Sequence, residues 1–265
     1  LQANFRRREL GLPHGSLVTG LGSWGGPENA PIKLFGFRLT DAADGHRALE
    51  VIEGVSKVAM PSSLRSACLP LSKTIDGVVD AARHADRAAK ALKSENVPAT
   101  QDQIAAFYLY TMAHSFYVQL NAAMRGEDRS KAKPFFGYLR LLFAGLEALV
   151  SHGRGTRSVP ELWRGVHLDL AGEHAPGSEV TWWGASSCTP RLSVAQGFLG
   201  CSGPRTLFRV RPLSAAPIKE YSAFRGEEEW LLAPGTRLRV EAVERRDGGL
   251  VEVSLAEMPP PRDIR

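Results

Sequence analysis

Apolar residues between Thr74 and Lys93 fall at Ile75, Val78, Ala82, Ala85, Ala89 and Leu92, the spacing that lines one face of an α-helix. This stripe is rich in alanine, so the helix is expected to pack closely against another. A second stripe, Ile104, Tyr108, Met112, Phe116, Leu120 and Met124, recurs every four residues and predicts one continuous helix. Thr100 and Gln103 mark its start as a capping box, in which hydroxyl and amide satisfy backbone N–H groups that have no intrahelical partner. Phe135, Leu139, Leu142, Leu146 and Leu149 form a third stripe after Pro134, with Gly153 just past its end. Upstream, helical spacing begins after Thr40, with Leu49, Ile52, Val55 and Ala59 on one side until Pro61 stops it. Residues 1–30 read as loop, with Pro13, Pro27 and Pro31 preventing any long element, and Ile32, Leu34 and Phe37–Leu39 suggest one short extended segment.

From Pro160 the pattern changes to short extended runs: Leu162–Val166, Val180–Ser186, Thr206–Val210, Trp230–Leu232, Leu238–Val243 and Leu250–Leu255. A helix-like run, Leu192–Leu199, lies among them, and Asp247-Gly248-Gly249 reads as the turn of a final hairpin. Helices followed by strands, rather than alternation, predict an α+β fold with an antiparallel or mixed sheet. The Pro-rich tail, Pro259-Pro260-Pro261, is expected to end the folded domain.

Composition narrows the chemistry. Thirty-three Lys and Arg against 28 Asp and Glu give a net charge of +5, and the longest basic run is only Arg6-Arg7-Arg8. A nucleic-acid partner is therefore disfavoured, because such modules concentrate charge on one face or tract. Three cysteines, Cys68, Cys188 and Cys201, are odd in number and lack ligand spacing. A disulfide framework is excluded and a reducing compartment favoured, with secretion left open. Seven histidines form no HExxH pair, and His152, His167 and His174 read as surface or satisfied polar residues, so no metal is expected. No apolar stretch approaches the roughly 18 to 20 residues of a membrane-spanning helix. Gly20–Gly25 satisfies GxGxxG, but Pro27 and Pro31 interrupt the helix that a dinucleotide site would need, so it reads as a loop. Ser186-Ser187 does not sit in a nucleophile elbow.

The acidic run Glu227-Glu228-Glu229 leads directly into the apolar Trp230-Leu231-Leu232. In an extended chain Glu227 and Glu229 would share one face and Glu228 would point away, leaving two carboxylates for acid, base and charge-stabilising work.

Three segments taken in order, Leu162-Trp163-Arg164-Gly165-Val166, Val180–Thr189 and Glu227–Gly235, resemble the R-S-E signature of arginine-type mono-ADP-ribosyltransferases of animals and bacterial toxins. Tyr110-Thr111, Tyr117, Leu120-Asn121 and Met124-Arg125 look like the helical lead-in of that family. The likeness covers roughly residues 98–256, and Cys188 and Thr189 depart from the Ser-Thr-Ser pattern that Ser187 begins. The resemblance implies a split, mainly antiparallel β-sandwich with an N-terminal helical layer. It divides the chain into an accessory region (1–95), a catalytic domain (96–258) and a Pro-rich tail (259–265). It also implies NAD as co-substrate, no metal, and transfer of ADP-ribose to a protein that presents an arginine, with the enzyme acting as a monomer. The alternatives are an NAD glycohydrolase and a catalytically silent interaction module. By the same resemblance Glu229 grips the ribose as positive charge builds there, and Glu227 engages the acceptor guanidinium. Arg164 and Gly165 would hold NAD, Ser187 would orient Glu229, and Phe198 would stack on the nicotinamide.

Overall fold

The computed structural model describes residues 49–154 and 159–265. The Gly20–Gly25 loop, the Ile32–Leu39 segment and the stretch just after Thr40 lie outside the described residues. Among the described residues five α-helices form the first layer: α1 (Leu64–Cys68), α2 (Val78–Leu92), α3 (Gln101–Thr111), α4 (Phe116–Arg125) and α5 (Phe136–Leu149). A capping box at Ser63 and Ser66 starts α1, and the expected box at Thr100 and Gln103 starts α3. Ala82, Ala85 and Ala89 of α2 are fully buried where that helix packs along α3, which is the close approach the small side chains permit. Gly145 of α5 is similarly demanding, since a Cβ there would lie 2.8 Å from Phe107 Cζ of α3. The run Arg129–Gly153, which includes α5, is long and apolar enough by composition to cross a membrane. Its apolar side chains, Leu139, Leu142, Leu146 and Leu149 among them, serve here as core.

Three expectations from periodicity are corrected. The stripe from Ile104 to Met124 is two helices, because Met112 turns extended (ψ 151°) and residues 112–115 leave the helix. The four-residue interruption keeps Phe116, Leu120 and Met124 in the phase of the apolar repeat, and all three are buried in the same core. Leu49–Ala59 is not helical. The Ile52 N–H and C=O are instead taken by Asp263 and Arg265, and Gly54 adopts a φ of +105°. Finally, α2 begins at Val78 rather than near Thr74, after Gly77 in the left-handed region.

Among the described residues the second layer holds eight strands and helix α6 (Leu192–Leu199). The strands are β1 (Leu162–Val166), β2 (Glu179–Trp182), β3 (Ser186–Cys188), β4 (Arg205–Arg211), β5 (Ala216–Pro217), β6 (Trp230–Leu232), β7 (Thr236–Arg246) and β8 (Leu250–Glu257). A five-stranded sheet runs β1-β4-β8-β7-β2, and a three-stranded sheet runs β3-β6-β5. All pairings are antiparallel except β4 with β8. Leu162, Trp182, Phe208, Val253 and Leu255 of the larger sheet and Leu232 of the smaller share one apolar cluster. The run Val180–Ser186, expected as one extended segment, is divided between the two sheets, and the chain crosses from one to the other at Trp183–Ala185. After the prolines the chain returns to the body of the fold: Ile264 bridges Ile52 in parallel, and Asp263 N–H bonds to Gly235 C=O.

Candidate active site

The smaller sheet brings the serine and acidic motifs together. Strand β3 pairs with β6 so that Ser187 stands opposite Leu231 and Cys188 opposite Trp230. Glu229, immediately before β6, continues the ladder by accepting the Ile218 N–H at 2.9 Å. With this register Ser187 Oγ donates to Glu229 Oε1 at 2.6 Å, and both residues are completely buried.

Arg164 joins them from the larger sheet. It lies on β1 at 2% exposure, donates from Nη1 to the Ser187 carbonyl at 2.8 Å, and stands over the Trp182 ring at 5.9 Å. The sheets are also linked by the bridge between Trp163 and Thr189, whose N–H groups each donate to the other's carbonyl. Thr189 thus takes part in backbone pairing at a position where the sequence departs from Ser-Thr-Ser. Cys188, the other departure, is buried, and burial pushes its thiol up to about 12, with the Arg164 charge opposing the shift in part.

The helical lead-in residues support this geometry from beneath. Asn121 brackets Ala185 with its side-chain amide, accepting the backbone N–H at 2.9 Å and donating to the carbonyl at 3.3 Å. A Cβ on Gly184 would come within 3.0 Å of Asn121 Oδ1, so the chain needs glycine there to pass. Tyr110 donates its hydroxyl to the same Ala185 carbonyl and lies 3.4 Å from Ser187 Oγ. Thr111 Oγ1 donates back to the Phe107 and Tyr108 carbonyls and accepts the Ala223 N–H at 2.8 Å. One helix end and the helix that follows it therefore hold both the serine strand and the loop that leads into the acids.

The acidic run is not extended as expected. Glu229 N–H bonds to Glu227 C=O at 2.9 Å, a tight turn centred on Glu228, and Glu227 N–H bonds to Phe224 C=O at 3.2 Å. Strict alternation fails for that reason, and Glu228 does not point away. Glu227 and Glu228 both line a cavity of about 890 Å³, within the range of roughly 300–1,000 Å³ usual for small-molecule sites. Phe198 of α6 and Ala88, Ala91 and Leu92 of α2 line it too. Helix α2, which falls within the stretch assigned to the accessory region, thus supplies a wall of this cavity.

Arg164, Gly165, Ser187 and Glu229 are not among the lining residues. Gly165 instead lies under α6, where a Cβ would meet Leu199 Cγ at 2.6 Å. His167 Nε2 donates to the Phe198 carbonyl at 3.0 Å and ties the other end of the same contact. Sequence reasoning did not single out Arg191, Tyr108 or Phe224, which also line the cavity. Tyr108 lies in the apolar stripe of α3, which marks burial and not a cavity, and no local spacing marks Arg191 or Phe224. Among the described residues no group of three or more His, Cys, Asp or Glu is placed to hold a metal ion.

A sequence description of the NAD:arginine ADP-ribosyltransferase family matches residues 62–260. The human GPI-linked NAD(P)(+)--arginine ADP-ribosyltransferase 1 is 32% identical over 154 residues, 57% of this chain and 46% of the relative. The mouse protein of the same name is 31% identical over 153 residues, with the same two shares. The chain spans about half the length of the curated relatives it matches. Among solved structures, the eukaryotic mono-ADP-ribosyltransferase ART2.2 aligns with a TM-score of 0.57 at 17% identity, covering 74% of this chain and 84% of that one. The type III effector XopAI of Xanthomonas axonopodis pv. citri aligns with a TM-score of 0.56 at 13% identity, covering 78% and 92%. Exoenzyme S of Pseudomonas aeruginosa, solved with carba-NAD, aligns at 0.53 and 19% identity, covering 73% and 88%. These structural likenesses speak for the fold, an α+β ADP-ribosyltransferase fold. The match over residues 62–260, which spans both layers, closes the question of kinship: the chain belongs to the NAD:arginine ADP-ribosyltransferase family.

Proposed function

We propose that this chain transfers ADP-ribose from NAD to an arginine side chain of a protein, with release of nicotinamide, and that it acts as a monomer. The observation that carries the reading is the buried 2.6 Å hydrogen bond from Ser187 Oγ to Glu229 Oε1, next in sequence to two carboxylates that line an 890 Å³ cavity. A serine that holds a carboxylate in one rotamer aims its charge before the reaction begins, which is what stabilisation of a developing cation requires.

NAD supplies a ribosyl carbon attached to a cationic nicotinamide, and departure of that group builds oxocarbenium character. Glu229 accepts the ribose 2-hydroxyl, and its hold strengthens as positive charge develops on the ring, as at glycosidase centres. Arg164, fixed in orientation by the Ser187 carbonyl, grips a phosphate or ribose oxygen. Gly165 contributes by letting α6 seat on β1, which places Phe198 on the cavity wall to stack on the nicotinamide. Glu227, on the cavity surface, binds the acceptor guanidinium and takes its proton as the new bond forms.

Incubation with labelled NAD, agmatine and an arginine-rich protein tests the reading. Label on the guanidinium supports it. Release of ADP-ribose alone points to a glycohydrolase, and no reaction at all leaves an interaction module.

A further inference from the structure

Two walls of the cavity are joined by an ion pair that the reaction above does not use. Arg191, just before α6, places Nε 2.5 Å from Glu228 Oε2, and both residues line the cavity. Their side chains are 61% and 34% exposed, so the pair stands at the rim. Exposed pairs of this kind are weak and exchange partners with little penalty. Glu228 is thus a carboxylate that already holds a guanidinium, one residue from the acid proposed to engage the acceptor. The cavity that it lines is the one an acceptor arginine has to enter.

We propose that Glu228 is a recognition carboxylate for the incoming acceptor guanidinium, and that Arg191 is an internal competitor occupying it until the acceptor arrives. This deepens the transferase reading and rests on it. A consequence for substrate class follows from charge balance. When the acceptor takes Glu228, the Arg191 guanidinium loses its partner at the rim of a largely apolar cavity. An acidic residue beside the acceptor arginine restores a pair, so arginines with an Asp or Glu neighbour are the favoured acceptors.

Agmatine serves as the guanidinium probe, with binding followed by NMR titration of the parent, R191A, E228Q and the double variant. R191A is expected to tighten agmatine binding by up to about five-fold, the most that an exposed ion pair supports. E228Q is expected to weaken it, and R191A made in the E228Q background is expected to bring no gain. In transfer assays, a peptide carrying Arg-Glu is expected to show a lower KM than its Arg-Gln counterpart with the parent, a preference lost in R191A. Weaker agmatine binding by R191A, or tightening that persists without Glu228, would overturn the masking. So would a KM for NAD that moves by the same factor, because Arg191 would then serve the dinucleotide. Equal KM values for the two peptides with the parent would overturn the acidic-neighbour rule. The titration needs no turnover, so it decides on the mask even if no variant modifies agmatine, an outcome that would sink the transferase reading instead.

Discussion

Glu229→Gln is the sharpest perturbation available, because it changes charge with almost no change in shape. Glutamine keeps an acceptor oxygen at the place of Oε1, so the donor bond from Ser187, 2.6 Å in the native chain, can persist. Glu229 is completely buried, and exchanging a buried charged group for a neutral isostere relieves desolvation. The fold is therefore expected to lose no stability, and the melting temperature should hold or rise. Activity is a different matter. Removing one preorganised electrostatic contact to a developing charge typically costs about 100- to 1000-fold in rate, or about 2.7–4 kcal/mol of transition-state stabilisation. NAD affinity should change far less, because the lost contact strengthens mainly in the transition state. The assay is parallel measurement of transfer to agmatine and of NAD hydrolysis, with NAD binding by calorimetry and melting by scanning fluorimetry. A variant within ten-fold of the parental rate would refute the assignment. So would a melting temperature that falls along with activity, because the loss would then be structural.

Glu227→Gln should depress transfer to arginine far more than NAD hydrolysis, since water needs no guanidinium clamp; equal losses in both assays would remove Glu227 from acceptor binding. Gly165→Ala drives a methyl to 2.6 Å from Leu199 Cγ and should cost about 1–3 kcal/mol by overpacking, read as a lower midpoint in urea. Burial pushes the thiols of Cys68 and Cys188 each up to about 12, whereas Cys201 is exposed. At pH 8 only about one in ten thousand of the buried groups would be thiolate, so iodoacetamide should add once to the folded chain and three times in denaturant, counted by intact mass.

The meeting of Ser187 with Glu229 was legible in the sequence because Ser187 sits on, and Glu229 immediately before, a short strand whose own apolar neighbours fix its register. Trp230–Leu232 is such a strand, and once it pairs with Ser186–Cys188 the serine and the last acid of the run meet without further specification. Helix α6 was equally legible, since Leu192–Leu199 carries its own periodicity. The break at Met112 was not, because apolar spacing reports which side chains are buried and is blind to a backbone interruption that stays in phase. The Leu49–Ala59 stripe misled for the same reason: Ile52 and Val55 are buried, but against a segment some two hundred residues away in sequence. The turn at Glu228 depends on a single backbone hydrogen bond, and its pairing with Arg191 on two loops that no local pattern connects.

Strand β8 lies inside the larger sheet, between β4 and β7, although it is the last strand in sequence, and residues 263–265 then fasten onto Ile52 and Val55. During synthesis the helical layer can therefore assemble on emerging from the ribosome, while β1 and β4 wait for a partner not yet made. Arg164 rides on β1, and β1 hangs from the sheet only through β4. At about 5–20 residues per second, the wait between translating β4 and finishing β8 is a few seconds. For the first part of that interval the nascent chain carries its arginine and serine segments but neither the glutamate run nor the central strand that completes the larger sheet.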